Sequence, residues 1–175
     1  MQILISSTQI RERVEDLAAE IAADFAGKKV TVVGVLTGSL VFLADLIRRM
    51  NLPLQVALIE ASSYRGQTTT AGELVIHDEL LTDIRGRHIL LMDDILDTGN
   101  TVSKVVGHLM TKGAASVKTC VLLRKIGRQQ VEFEPDYIGF AIPDKFVIGY
   151  GLDFNDEYRH LPFIAVLPAD QIPPH

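Results

Sequence analysis

The strongest constraint on the fold is a set of short apolar runs, each set between segments of helical period. Residues Val30–Leu36 read VTVVGVL, a run with no solvent face. A strand covered on one side alternates, whereas one covered on both sides is apolar throughout. The runs HILLM at 88–92 and VKTCVLL at 117–123 are further strands of this kind, and 54–59, after Pro53, is another. Between them lie amphipathic segments. In 7–27, Ile10, Val14, Leu17, Ala18, Ile21 and Phe25 recur at helical spacing, with Ser7 or Thr8 as N-cap and Gly27 as stop. A second helix spans 40–50, with Arg48 and Arg49 near its C-terminus, where cations suit the dipole. A third spans 101–110, its stripe formed by Val102, Val105, Val106, Leu109 and Met110. The alternation predicts an α/β fold with an open, mostly parallel sheet flanked by helices. Shorter strands at 137–140, 146–150 and 163–167, and the segment 60–77, fit a parallel sheet less well and are expected to form a small cap. Residues 60–72 (EASSYRGQTTTAG) are polar and without period, which predicts a mobile functional loop.

Composition narrows the class. With 175 residues, 47% of them hydrophobic, the chain is expected to be one domain over 1–175 with a substantial core. There are 17 basic and 22 acidic residues, a formal charge of −5, which argues against coating nucleic acid or an anionic membrane. A single cysteine, Cys120, excludes an internal disulfide framework and a cysteine zinc site. The N-terminus lacks a basic stretch followed by a long apolar one, and no run reaches the roughly 18 apolar residues of a membrane span. A cytoplasmic protein is expected, with neither nucleic acid nor membrane as partner.

In an open α/β sheet, ligands bind beyond the carboxyl ends of the strands. The sequence there is ILLMDDILDTGNT, from Ile89 to Thr101. Burial of the strand leaves Asp93 and Asp94 at its exit. Gly99 lets backbone approach a ligand, and the amides of Thr98, Gly99, Asn100 and Thr101 open a helix, which is an anion site. A phosphate suits that turn. The two acids suit sugar hydroxyls or magnesium. Helix capping by Asp97 or Thr98 explains one acid but not three at a single turn. No GxxxxGK[ST] and no GxGxxG occurs, so nucleotide-triphosphatase and dinucleotide readings lose their main support.

This segment resembles the phosphoribosyl pyrophosphate (PRPP) motif of type I phosphoribosyltransferases. PDKFVIGYGLDFNDEYR, from Pro143 to Arg159, resembles the C-terminal signature of the hypoxanthine-guanine phosphoribosyltransferases. The likeness extends over nearly the whole chain, including GVLTGSLVFLADL and SSYRGQTTTAGE.

The resemblance implies the type I phosphoribosyltransferase fold, with a hood formed by terminal segments, and a magnesium-dependent transfer of ribose 5-phosphate from PRPP to a 6-oxopurine. It assigns Asp93 and Asp94 to the ribose hydroxyls and, with Asp153, to the metal. Asp97 to Thr101 would grip the 5′-phosphate, with Asp97 also taking the purine N7 proton. Thr37, Gly38, Ser39 and Arg159 would contact pyrophosphate. Lys125, Phe146, Val147 and Asp153 would hold the base, Lys125 through O6 and Phe146 by stacking. Ser63, Tyr64 and Arg65 belong to a flexible loop over about 62–73. Two positions depart from the pattern: Thr37 stands where a basic residue is usual, and Arg65 where many relatives have glycine. Arg65 is expected to supply some of the missing charge. A homodimer or homotetramer is implied. The rival readings are an RNA-binding regulator on the same fold, for which Arg124, Lys125 and Arg128 form a small basic cluster, and transfer to another base such as xanthine.

Overall fold

The computed structural model describes residues 1–63 and 73–172. In chain order the elements are β1 (Gln2–Ile5), α1 (Ser7–Asp24), β2 (Val30–Leu36), α2 (Leu40–Ile47), β3 (Leu54–Ser63), β4 (Leu74–His77), β5 (His88–Leu96), α3 (Asn100–Thr111), β6 (Ser116–Lys125), β7 (Tyr137–Ile142), β8 (Val147–Ile148) and β9 (Ile164–Val166). A 3-10 turn, Ala169–Gln171, follows.

The main sheet has the order β4-β3-β2-β5-β6-β7. All its pairings are parallel except β3 with β4. Its strands are covered on both faces, as their unbroken apolar runs require. Val32, Leu90, Met92 and Leu122 pack with α1 and α2, while Val33, Val35, Ile89, Leu91 and Val121 pack with Val102, Val105 and Leu109 of α3. From β2 the chain builds outward through α2 to β3, then returns to lay β5 on the other side of β2. The order therefore reverses between β2 and β5, and the crevice beyond their carboxyl ends is where such a sheet binds ligands.

Several boundaries differ from the sequence expectation. Helix α1 is capped by Ser6, not Ser7 or Thr8: the Ser6 hydroxyl accepts from the Gln9 amide and the Gln9 side chain accepts from the Ser6 amide. Helix α2 stops at Ile47, and Arg48 and Arg49 then bond back to the carbonyls of Ala44 and Asp45. Residues 60–63 belong to β3 instead of a loop, and β4 pairs with them antiparallel on the edge of the main sheet, not in a cap. Strand β7 also joins the main sheet, since Tyr137 pairs with Cys120 and Ile142 with Lys125. The small sheet is β1-β9-β8, entirely antiparallel. It thus draws on both ends of the chain, including a first strand that the sequence did not announce. Among the described residues no helix is long and apolar enough to cross a membrane.

Candidate active site

A cleft of about 360 Å³ opens at the switch between β2 and β5. Its walls include Thr37, Gly38, Asp93, Asp94, Asp97, Thr98, Gly99, Thr101, Asp153 and Arg159. Strand β5 runs through both acids to Leu96, so Asp93 and Asp94 sit within a strand and not on a turn after it. Asp93 is buried, and its Oδ1 accepts the Asp94 amide at 2.9 Å. Burial, followed by the charge of Asp94, raises its pKa well above the ordinary carboxylate range. Asp94 is raised as well, again chiefly by burial, with Arg159 pulling the other way. Gly38 lies directly against the Asp94 carboxylate. The peptide bond between Leu36 and Thr37 is cis. Ser39 does not line the cleft with its two neighbours. It is fully buried, and both its hydroxyl, at 2.5 Å, and its amide, at 3.3 Å, donate to the Val35 carbonyl.

The turn after β5 has the anion-site architecture expected. Gly99 is the N-cap of α3 with φ of 86°, in the left-handed region where a side chain is strained. A Cβ there would also meet Val131 Cγ2 at 2.9 Å. Thr98, Gly99 and Thr101 line the cleft at the start of a twelve-residue helix, whose first amides lack partners within the helix. Asn100 does not line it. Its side chain bonds to Thr98 Oγ1 at 3.1 Å and to Gln130 Oε1 at 3.2 Å, so it braces the turn.

A second hollow of about 200 Å³ adjoins the first, sharing Asp94, Ile95, Asp97 and Asp153 with it. Lys125, Phe146, Val147 and Leu152 complete it. Phe146 is 39% exposed, which leaves a ring face available, and its position is fixed edge-to-face against Phe154 at 5.6 Å. The Lys125 side chain is only 13% exposed, with Nζ 3.7 Å from Asp97 Oδ2 and 3.5 Å from Asp144 Oδ1. Arg128 and Asp144, neither assigned a role in the site from sequence, complete this charge cluster: Arg128 Nε donates to Asp97 Oδ1 at 2.8 Å and lies 3.8 Å from Asp144 Oδ2. The sequence signal for Arg128 was the basic cluster read as a possible RNA contact, and that for Asp144 its place in the Pro143–Arg159 signature. That cluster is neutralised, since Arg124 forks onto Glu134 at 2.6 and 2.8 Å and Arg128 pairs with Asp97.

Between the two hollows, Asp153 Oδ2 accepts the Asp156 amide at 2.9 Å, and its Oδ1 lies 3.3 Å from Arg159 Nη1. Arg159 also donates to the Gly151 carbonyl at 2.8 Å. Among the described residues no three histidine, cysteine or acidic side chains gather to cage a cation. Asp93, Asp94 and Asp153 nevertheless put hard oxygen donors on the cleft wall. That set fits magnesium, which prefers a few protein carboxylates completed by substrate oxygens and water. Ser63 ends β3, while Tyr64 and Arg65 lie outside the described residues.

Comparison with known proteins agrees with this geometry. The phosphoribosyl transferase domain family matches residues 6–155. A hypoxanthine-guanine phosphoribosyltransferase of Streptococcus pneumoniae is 40% identical over 169 residues, covering 97% of this chain and 94% of that protein. The crystal structure of a hypoxanthine phosphoribosyltransferase from Staphylococcus aureus superposes with a TM-score of 0.90 at 35% identity, covering 97% of this chain and 92% of that one. A hypoxanthine-guanine phosphoribosyltransferase from Bacillus anthracis, with HEPES in its active site, also gives 0.90, at 39% identity, covering 96% of this chain and 99% of that one. This chain therefore belongs to the type I phosphoribosyltransferase family, and within it to the hypoxanthine(-guanine) phosphoribosyltransferases.

Proposed function

We propose that the chain salvages purine bases by transferring the 5-phosphoribosyl group of PRPP to N9 of hypoxanthine or guanine, releasing pyrophosphate and forming IMP or GMP. The observation that carries this reading is the meeting of two unlike hollows. One has a helix N-terminus and paired acids; the other has an exposed aromatic ring and a mostly buried lysine, and Asp97 belongs to both.

The roles follow from chemistry. Amides of Thr98, Gly99 and Thr101 take the 5′-phosphate. Asp93 and Asp94 accept from the ribose hydroxyls. Gly38, Thr37 and Arg159 face the pyrophosphate. Phe146 stacks on the base, Lys125 donates to O6, and the Val147 backbone with Asp153 borders the purine edge. Nitrogen N9 forms its bond to C1′ as the bond from C1′ to the pyrophosphate oxygen breaks, and the N7 proton passes to Asp97. The ribose carries oxocarbenium character meanwhile, so the flanking carboxylates stabilise it by placement and charge. Magnesium would be held by Asp93, Asp94 and Asp153, and when bound it neutralises charge on the departing pyrophosphate. The proposal includes a cytoplasmic setting and a homodimeric or homotetrameric state, which sedimentation tests.

The deciding experiment supplies magnesium and PRPP with hypoxanthine, guanine, xanthine, adenine and uracil in parallel. Nucleotide is expected from hypoxanthine or guanine. Product from uracil or adenine alone, or from none, would overturn the reading.

A further inference from the structure

The acid proposed to receive the proton is held asymmetrically. Asp97 Oδ1 accepts a hydrogen bond from Arg128 Nε at 2.8 Å, whereas Oδ2 accepts no hydrogen bond from the described residues, Lys125 Nζ lying 3.7 Å away. Lys125 is similarly loose toward Asp144, at 3.5 Å. The arrangement is built by strand register. Asp97 follows β5, where Leu96 pairs with Arg124 of β6; Lys125 ends β6 and pairs with Ile142 of β7; Asp144 lies two residues beyond Ile142. A turn at Gly127, with φ of 80°, sends the chain back so that Arg128 reaches the same edge. Three neighbouring parallel strands thereby bring two acids and two cations into one cluster beside the base hollow, of which Asp97 and Lys125 line it.

We infer that Arg128 is a positioning residue for the transfer: it fixes one oxygen of Asp97, leaving the other free and aimed for the purine N7 proton, while Asp144 shares the two cations so that Lys125 stays available to O6. This rests on the proposed role of Asp97. A carboxylate tied at one oxygen loses rotational freedom about its terminal torsion, and a reacting group held in place reacts faster than one that must find its orientation. Arg128 does not line either hollow, so it acts through Asp97 and not on substrate.

The test is a kinetic split on the full-length protein with magnesium, PRPP and hypoxanthine. Arg128→Met is expected to lower kcat by about tenfold with KM for PRPP and hypoxanthine within about threefold, since the lost interaction serves the transition state. Arg128→Lys should recover part of that loss. Combined with Asp97→Asn, Arg128→Met should add less than about twofold, because two residues acting through one group do not add. The Arg128 side chain is half exposed, and melting curves check that the variants fold. If Arg128→Met does not fold, Arg128→Gln, which keeps a donor without charge, reads the same split. Unchanged kcat, a loss confined to the KM for PRPP, or the same fold-loss on top of Asp97→Asn would each overturn the inference. Failure of the unsubstituted protein to form either IMP or GMP would overturn the function itself, which separates the two results.

Discussion

Gly38 touches the Asp94 carboxylate so closely that a Cβ built on it would lie 1.8 Å from Oδ2. On its other side, a Cβ on Gly151 would meet the Gly38 carbonyl at 2.4 Å. The loop after β2 is thus pressed between the acidic strand β5 and the segment after β8. In the proposed function these three segments face the pyrophosphate and ribose.

Gly38→Ala is therefore expected to displace Asp94 or the loop. Overpacking of this kind costs about 1–3 kcal/mol, and the displaced carboxylate weakens PRPP binding. Melting temperature and the KM for PRPP should both worsen. A variant with unchanged KM would show that Asp94 does not contact the sugar.

Asp93→Asn should separate stability from function. The raised pKa of Asp93, due first to burial and then to Asp94, means that the folded protein binds its proton more tightly than the unfolded chain does. Stability is therefore lost as pH rises from the ordinary carboxylate range through the raised value. The asparagine keeps the oxygen that accepts the Asp94 amide and removes the charge. Without PRPP and with a chelator present, the variant should be more stable than the parent at pH 8, and the gap should close toward pH 4. Activity should fall in parallel with PRPP binding. A gap that widens on acidification would contradict the sign.

Lys125→Ala is expected to act on the base alone. Its ammonium is mostly buried and bordered by carboxylates at 3.5 and 3.7 Å, poised as a donor to a carbonyl oxygen. Sites that hydrogen-bond a substrate group lose about 1–3 kcal/mol when the bond goes, roughly a five- to 150-fold rise in the KM for hypoxanthine. The KM for PRPP should stay within about twofold, since that substrate is proposed to occupy the adjoining cleft. Steady-state kinetics with each substrate varied decides it.

Much of this site was legible in the sequence because the signals were local. A buried strand that ends in acids and turns through glycine into a helix leaves few positions for Asp93, Asp94, Thr98 and Gly99 other than a cleft. What was missed depends on distance along the chain. Strand β1 has four residues and finds its partner β9 only at the far end, so no period announces it. Arg128 meets Asp97 across 31 residues, through a register that apolar runs do not specify. Ser39 looked like its neighbours, being polar at a strand exit. Its hydroxyl instead bonds back to the Val35 carbonyl four residues earlier, a choice decided by the burial of that turn.

Thr37→Lys should ease the most conspicuous imbalance of the cleft. Among the described residues its walls carry Asp93, Asp94, Asp97 and Asp153 against a single cation, Arg159, although the proposed substrate is a polyanion. Backbone amides and magnesium must then supply most of the attraction, and the family resemblance places a basic residue where Thr37 stands. An ammonium at this position adds a charge-assisted hydrogen bond to the pyrophosphate, worth about 1 kcal/mol in a partly solvated cleft, or roughly fivefold in affinity. Pyrophosphate should inhibit the variant at lower concentration, and PRPP should saturate it at lower magnesium. If the magnesium requirement is unchanged, the metal contributes through the leaving group alone and the local charge of the cleft is not what limits binding.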